Sequence, residues 1–408
     1  MNYKGVLKNL SYLTILQIVN MVLPLITYPF LIKTIGSNNF GKVVFFQNLF
    51  GYLAIIISFG FNITGAREIG RCNNILDRNK VASSIIFSKF ILLLTISLPS
   101  FLILKFNLFS LEKELIEIAI YSMWNLLFEF FLPIWFFQGI NKLKYITILN
   151  VLLKLILTVL IFTLIKGKND NLLFVKLNLY TTIVYGIGCF YFYKLESFFF
   201  VKIGLNDLKE RFRASYVMAF AYISNAIKSN FSIVLIKPLI GYQNIAYFDM
   251  AQKVVNIFTN FLDLISQAIF PIILKTENID FLKKIIKISV ILSLFISTIN
   301  FLLAEYIVRI LGGVEMSKSI IYLQLLGLNY TPYIFAALIG RNCLIVFNRD
   351  FEVLKSMFFS GLFFIFFIFF IYVIKPDDPI FYVIIAILTS NIFEAYYRFL
   401  KAKTFLKW

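Results

Sequence analysis

Residues 245–272 read IAYFDMAQKVVNIFTNFLDLISQAIFPI. The run is long enough to cross a bilayer, for which an α-helix needs about 20 mainly apolar residues. It nevertheless contains Asp249, Gln252, Lys253, Asn256, Asn260, Asp263 and Gln267. At about 100° per residue all of these fall within an arc of roughly 100°, and the stripe continues for about five turns, or roughly 27 Å. A charge near the centre of a spanning helix costs about 2.5–3.5 kcal/mol on insertion scales, so such residues face a bundle interior or a wet cavity. The stripe therefore predicts a spanning helix that lines a cavity inside a larger helical bundle. The competing reading is packing, with interhelical hydrogen bonds and an Asp249–Lys253 pair that neutralises itself at i,i+4.

Composition extends this reading to the rest of the chain. Of 408 residues, 60% are hydrophobic and 15% charged, against about 45–50% and about 25% in soluble domains. Apolar runs predict twelve spanning helices, at 10–32, 40–64, 81–104, 116–137, 146–165, 172–193, 215–236, 245–272, 285–304, 319–347, 354–374 and 380–400. The first run is too long for a removable signal peptide, so the mature chain is expected to begin at Met1. Lys and Arg exceed Asp and Glu by 39 to 21, a formal charge of +18. Segments on the side of the N-terminus hold roughly twice the cations of the opposite loops, among them Lys4, Lys8, Arg78, Arg211, Lys283, Lys284, Arg398 and Lys407, which places both termini in the cytoplasm. No loop exceeds about 20 residues, too short for an extramembrane catalytic domain. The scattered charge forms no nucleic-acid patch. With no His, and with Cys72, Cys189 and Cys343 far apart, no enzyme, metal site or cofactor is expected.

An internal repeat organises the helices. Leu31-Ile32-Lys33-Thr34-Ile35-Gly36-Ser37-Asn38-Asn39-Phe40-Gly41 is similar to Leu235-Ile236-Lys237-Pro238-Leu239-Ile240-Gly241-Tyr242-Gln243-Asn244-Ile245-Ala246, with an offset of 205 (241 − 36) at the glycine. Each copy lies between the first and second helix of a six-helix half. The expected fold is an all-α membrane protein of twelve transmembrane helices, in two pseudo-repeat halves, 1–205 and 206–408, around a central cavity. The offset pairs Lys253 with Asn48 and Gln267 with Asn62. Other charges inside predicted spans are Lys89, Glu129, Lys154, Lys228 and Arg341, of which Lys89 lies close enough to a helix end to snorkel. Cations outnumber anions at mid-membrane, which favours an anionic substrate. Glu129, Asp249 and Asp263 are candidate proton or sodium sites. Pro24 and Pro29, with Pro238, Pro271 and Pro332, are candidate kinks.

Several motifs carry a family resemblance. Pro24-Leu-Ile-Thr-Tyr-Pro29-Phe-Leu-Ile-Lys33-Thr-Ile-Gly36 with Asn39-Phe40-Gly41, Phe59-Gly60-Phe61 with Gly65-Ala66-Arg67-Glu68-Ile69, Trp135-Phe136-Phe137-Gln138-Gly139, Asn150 with Lys154, and Ala251-Gln252-Lys253 resemble the Wzx-type O-antigen and polysaccharide-unit flippases. These belong to the multidrug/oligosaccharidyl-lipid/polysaccharide exporter superfamily. The sequence departs from the family pattern at Asn141 and Gln252, where glutamates are usual. The resemblance implies a transporter of the bacterial inner membrane. Its substrate would be an undecaprenyl-pyrophosphate-linked oligosaccharide, moved from the cytoplasmic to the periplasmic leaflet by alternating access with proton or sodium coupling. A polysaccharide polymerase and a chain-length regulator would be its partners. On this reading Lys154, Lys228, Lys253, Arg67 and Arg341 hold the pyrophosphate. Asn48, Asn256, Asn260 and Gln267 bond sugar hydroxyls, and the lipid tail stays in the bilayer. The rival readings are a multidrug exporter of the same superfamily, whose cavity should be richer in carboxylates and aromatics, and a polysaccharide polymerase, which should carry a large periplasmic loop.

Overall fold

The computed structural model describes residues 3–229 and 232–406. Lys407 lies outside them, and the side chains of Lys4, Lys8 and Pro271 are likewise outside what is described. Among the described residues the fold is helical, with no strand. Eleven helices are long and apolar enough to cross a membrane, and a bent pair of segments makes a twelfth. The first six are α1 (Thr14–Ile35), α2 (Ser37–Ile69), α3 (Ile75–Lys105), α4 (Lys113–Gly139), α5 (Lys144–Leu164) and α6 (Lys168–Leu195). The bent pair, α7, comprises Leu205–Lys228 and Ser232–Leu239, with 49° between them. Then follow α8 (Tyr242–Thr276), α9 (Ile279–Gly312), α10 (Ser319–Ile345), α11 (Asp350–Ile374) and α12 (Pro379–Lys403). Packing divides the chain into two compact units, Met1–Ile223 and Ser224–Trp408, with the division inside the first segment of α7.

In the N-terminal unit α1 packs on α5, α2 on α4, and α6 on both α4 and α5. The aromatic motif at the end of α4 forms its core: Trp135, Phe136 and Phe137 are buried together with Tyr185 and Tyr193. Small residues let these helices approach. A Cβ on Gly139 would sit 2.6 Å from Ile69 Cγ2 and 2.9 Å from the Ala66 carbonyl, and one on Gly65 would sit 2.9 Å from Ile85 Cδ1. α2 is interrupted at Phe59 and Gly60, both at positive φ, and a Cβ on Gly60 would lie 2.7 Å from Met218 Cβ. In the C-terminal unit α10 packs on α8, α9 and α12, and α11 packs on α12. The repeated glycines take equivalent places, since Gly36 and Gly241 each occupy the N-cap of the second helix of their half.

Several helices outrun their apolar runs. α7 starts at Leu205, about ten residues before the predicted span, because its polar first turns are anchored. Lys80 pairs with Asp207 at 3.0 Å, and Arg211 pairs with Glu68. The segment before α7 is tied to α3 as well. Arg78 donates to the Glu196 carbonyl (2.6 Å), Asn79 to the Ser197 carbonyl (3.0 Å), and the Val201 N–H to Ser83 Oγ (3.0 Å). α9 starts at Ile279 because Asn278 caps it, its side chain accepting from the Phe281 N–H at 2.9 Å. Lys283, Lys284 and Lys287, expected in a loop, therefore lie in the first turns of a helix. Pro24 and Pro29 both sit inside α1, which remains one helix.

Candidate functional site

The C-terminal unit contains a cavity of about 270 Å³ between α7, α8, α10 and α12. Asn225, Lys228, Gln252, Asn256, Thr259, Asn260, Asn329, Tyr333 and Asn391 supply its polar wall, and Val255, Leu326 and Ile387 its apolar one. Six of these residues end in a carboxamide, and no carboxylate is among the lining residues. Helical spacing explains the wall: Gln252, Asn256, Thr259 and Asn260 recur at three and four residues on α8. The sequence-predicted residues Lys228, Asn256 and Asn260 thus meet at one cavity.

Lys228 is buried, at 3% exposure, and is committed to partners on two other helices. Its Nζ lies 2.5 Å from Glu394 Oε2, 2.9 Å from Ser360 Oγ and 3.1 Å from Asn391 Oδ1. Glu394 also pairs with Arg398. Arg398 in turn donates through Nε to Ser356 Oγ and through a terminal nitrogen to the Ala336 carbonyl, each at 2.8 Å. The cluster holds two cations and one anion. Its charges lie on α7 and α12, where their partners offset the cost of removing each from water. Arg398, counted in the sequence as a cytoplasmic topology charge, is instead buried at 4% exposure. Glu394, Asn391, Asn329 and Tyr333 were not singled out from the sequence. The signal was present, because Asn391, Glu394 and Arg398 share one face of α12 at spacings of three and four.

The remainder of the α8 stripe is engaged in ion pairs and hydrogen bonds. Asp263 receives Arg341 at 2.9 Å and Gln267 Nε2 at 2.8 Å, and Asn342 Nδ2 donates to the Ser266 carbonyl (3.1 Å) and to Ser266 Oγ (2.9 Å). Arg341 and Asn342 belong to a π-helical stretch, Gly340–Ile345. Just before it, the Ala336 and Ala337 carbonyls, which accept from the Gly340 N–H, accept also from Arg398 and from Ser266 Oγ. A Cβ on Gly340 would lie 2.7 Å from an Arg398 nitrogen. Near the other end of α8, Asp249 is 2% exposed and pairs with Lys253 at 3.3 Å. Cavity lining and pairing thus share the stripe.

In the N-terminal unit, Lys154 lines a pocket of about 20 Å³ with Trp124, Asn150, Asn178 and Thr182, its Nζ 6.0 Å from the Trp124 ring centre. Glu129 pairs with Lys89 at 3.0 Å, and Lys89 also donates to the Glu129 carbonyl at 2.9 Å. Lys89 does not snorkel. It is 1% exposed, since a carboxylate and a carbonyl replace the water it would otherwise seek. Asn48 donates to the Val44 carbonyl and Asn62 to Ser58 Oγ, both at 3.0 Å within α2. Arg67 is exposed near the end of α2. All three candidate coupling carboxylates, Glu129, Asp249 and Asp263, are therefore ion-paired. Among the described residues no cluster of His, Cys, Asp and Glu could hold a metal ion.

A sequence model of the family described as "Polysaccharide biosynthesis protein" matches residues 6–277. A relative from Escherichia coli (strain K12), named "Putative O-antigen transporter", is 26% identical over 376 residues, which is 87% of each chain. A relative of the same name from Shigella dysenteriae is 24% identical over 363 residues, 87% of this chain and 89% of the other. Among solved structures, the inward-facing conformation of a multidrug resistance MATE family transporter of the MOP superfamily superposes with a TM-score of 0.75 at 16% identity, covering 98% of both chains. The lipid II flippase MurJ, in an inward closed conformation, gives 0.70 at 15% identity over 96% of this chain and 87% of the other. At those identities the structural likeness is one of fold.

Proposed function

From the premise that this chain belongs to the polysaccharide biosynthesis protein family, we propose that it is a flippase for a lipid-linked oligosaccharide, a transporter and not an enzyme. It would carry an undecaprenyl-pyrophosphate-linked unit from the cytoplasmic to the periplasmic leaflet of a bacterial inner membrane, with both termini cytoplasmic. The observation that carries this reading is the carboxamide wall of the C-terminal cavity. Sugar hydroxyls both donate and accept, and so do carboxamides, so Gln252, Asn256 and Asn260 suit a polyhydroxyl cargo. An organic cation would call instead for carboxylates, and Glu129, Asp249, Asp263 and Glu394 are already engaged by Lys89, Lys253, Arg341 and Lys228. This favours the flippase over the multidrug exporter.

The positive charge left over serves the diphosphate. Lys228 lines the cavity and, with Arg398 and Glu394 behind it, carries one net positive charge, and Lys253 follows one residue after the lining Gln252. Arg341, shared with Asp263, belongs to the same unit, and Lys154 and Arg67 are the cations this reading assigns to the N-terminal unit. The isoprenoid chain remains among lipid tails, beside helix faces covered by exposed residues such as Val159, Leu302, Phe366 and Phe369.

Cells lacking their own transporter and expressing this chain test the proposal. Wild type should restore surface polysaccharide, and Asn256→Leu with Asn260→Leu should cut it by about tenfold or more at unchanged protein level, as expected for two lost hydrogen-bonding groups. Lipid-linked intermediate should then accumulate in the cytoplasmic leaflet. Normal export by the double variant would remove the carboxamide wall from the mechanism.

A further inference from the structure

Residues 196–204, which join α6 to α7, form no helix, yet they are tied down along their length. α6 closes in a reversing turn. Ser197 takes a φ of 56°, and the Ser197 and Phe198 N–H groups donate to the Lys194 and Tyr193 carbonyls, each at 3.1 Å. Phe198 then points inward, its ring centre 5.0 Å from that of Tyr193 and 6.1 Å from that of Phe136. The bonds from Arg78 and Asn79, and the one to Ser83, clamp the next residues to α3. At the far end the Gly204 N–H donates to Asp207 Oδ2 at 2.9 Å, on the carboxylate that pairs with Lys80. Connecting loops are ordinarily the mobile parts of a chain. This one is held, so the side chains it directs outward are held there too.

Those outward side chains are apolar. Phe199, Phe200 and Leu205 are exposed, Phe200 at 66% and Leu205 at 84%. Ile75 and Leu76, exposed as well, stand about one turn before the tethering Asn79 of α3. Ile187, Tyr191 and Leu195, spaced by four on the last turns of α6, are exposed in a stripe that leads into the connection. An apolar surface of this kind, continuous with the outer face of a spanning helix, marks a membrane contact. Charge specifies the lipid. Each acid of the segment is engaged within the protein, Glu196 by Lys142 (2.7 Å), Asp207 by Lys80 (3.0 Å) and Glu210 by Arg211 (3.2 Å). Lys194, Lys202 and Lys209 are exposed and make no ion pair among the described residues. Bulky apolar side chains interleaved with lysines suit the headgroup region, where the former enter the acyl boundary and the ammonium groups stay level with lipid phosphates.

We infer that residues 194–209 are an interfacial anchor that binds anionic phospholipid, with Phe199, Phe200 and Leu205 inserted at the acyl boundary and Lys194, Lys202 and Lys209 on lipid phosphates. The inference does not depend on the cargo proposed above. Its tethers run to α3 and to the first turns of α7, so the lipid surface holds the start of α7 in place through them.

Depth is tested with the full-length chain, its cysteines Cys72, Cys189 and Cys343 replaced, in vesicles of phosphatidylethanolamine and phosphatidylglycerol. Nitroxide labels on Phe200→Cys and, separately, Leu205→Cys should be relaxed by oxygen and shielded from a water-soluble nickel chelate, at a depth of roughly 5–10 Å below the headgroups. A label on Asn73→Cys, exposed in the connection between α2 and α3, should show the opposite and serves as the water reference. Labels at 200 and 205 as open to nickel as the one at 73 would overturn the anchor. So would labels shielded from both reagents, which would mean that a second copy or another protein covers the patch. Lipid choice is tested by native mass spectrometry of the full-length chain with phosphatidylglycerol and phosphatidylcholine. The wild type should prefer phosphatidylglycerol, and replacing Lys194, Lys202 and Lys209 together by Gln should reduce the preference about fivefold or more, the equivalent of one cation at an anionic surface. The unfolding midpoint should stay unchanged, because none of the three lysines makes an ion pair within the described protein. An undiminished preference in the triple variant would overturn the assignment of these lysines to lipid phosphates.

Discussion

Glu394 neutralises two cations at once, whereas Lys228 has Glu394 as its single carboxylate. Removal of each should therefore have unequal effects. Glu394→Gln leaves Lys228 and Arg398 as uncompensated charges in a buried site, a loss of about 3–5 kcal/mol. Lys228→Met keeps the Glu394–Arg398 pair and should destabilise less. Unfolding midpoints of the two variants in detergent give the order, and a milder effect for Glu394→Gln would contradict the assigned pairing. This part of the site was hard to read in the sequence, because Arg398 stands among Lys401 and Lys403 and was counted with them. A cation tally assigns side by position along the chain, but burial depends on which face of α12 a residue occupies. Lys228, Asn256 and Asn260 were legible because polar residues stand out in apolar runs, whereas Asn329 stands at a short interruption of α10, between Ser319–Gly327 and Tyr330–Ile339, that no local signal marks.

At the scale of elements, hydropathy located the spans and left their interruptions unseen. The break in α2 at Phe59 and Gly60 and the π-helical stretch at Gly340–Ile345 lie beside side chains such as Met218 and Arg398, and α10 is interrupted at Leu328 and Asn329. Such partners are distant in sequence, so periodicity cannot report them. The family-like motif Trp135-Phe136-Phe137-Gln138-Gly139 is, by its surroundings, a packing motif: its aromatics are buried and its glycine touches α2. Gly139→Val should therefore act on the fold and not on substrate. Overpacking of this kind costs about 1–3 kcal/mol, and the variant should show a lowered unfolding midpoint and reduced membrane yield, with export per folded molecule retained. A normal midpoint combined with lost export would assign the motif to transport instead.

On the scale of the whole molecule, the boundary between the two compact units falls inside a helix. The repeat placed the halves at 1–205 and 206–408, whereas the compact N-terminal unit continues to Ile223 because Asp207 and Arg211 hold the start of α7 to Lys80 and Glu68. A flexible cross-link between cysteines introduced at Lys80 and Asp207, with Cys72, Cys189 and Cys343 replaced, should leave export unchanged, since both positions belong to one unit. Blocked export would show that α7 must part from α3 during transport. A boundary that lies within a helix also has a mechanical meaning. Loose chain acts as a swivel and transmits no torque, but a hydrogen-bonded helix has bending stiffness. Any rotation of one unit would therefore load α7 as a lever, and its resistance would be set by backbone hydrogen bonds and not by the slack of a linker.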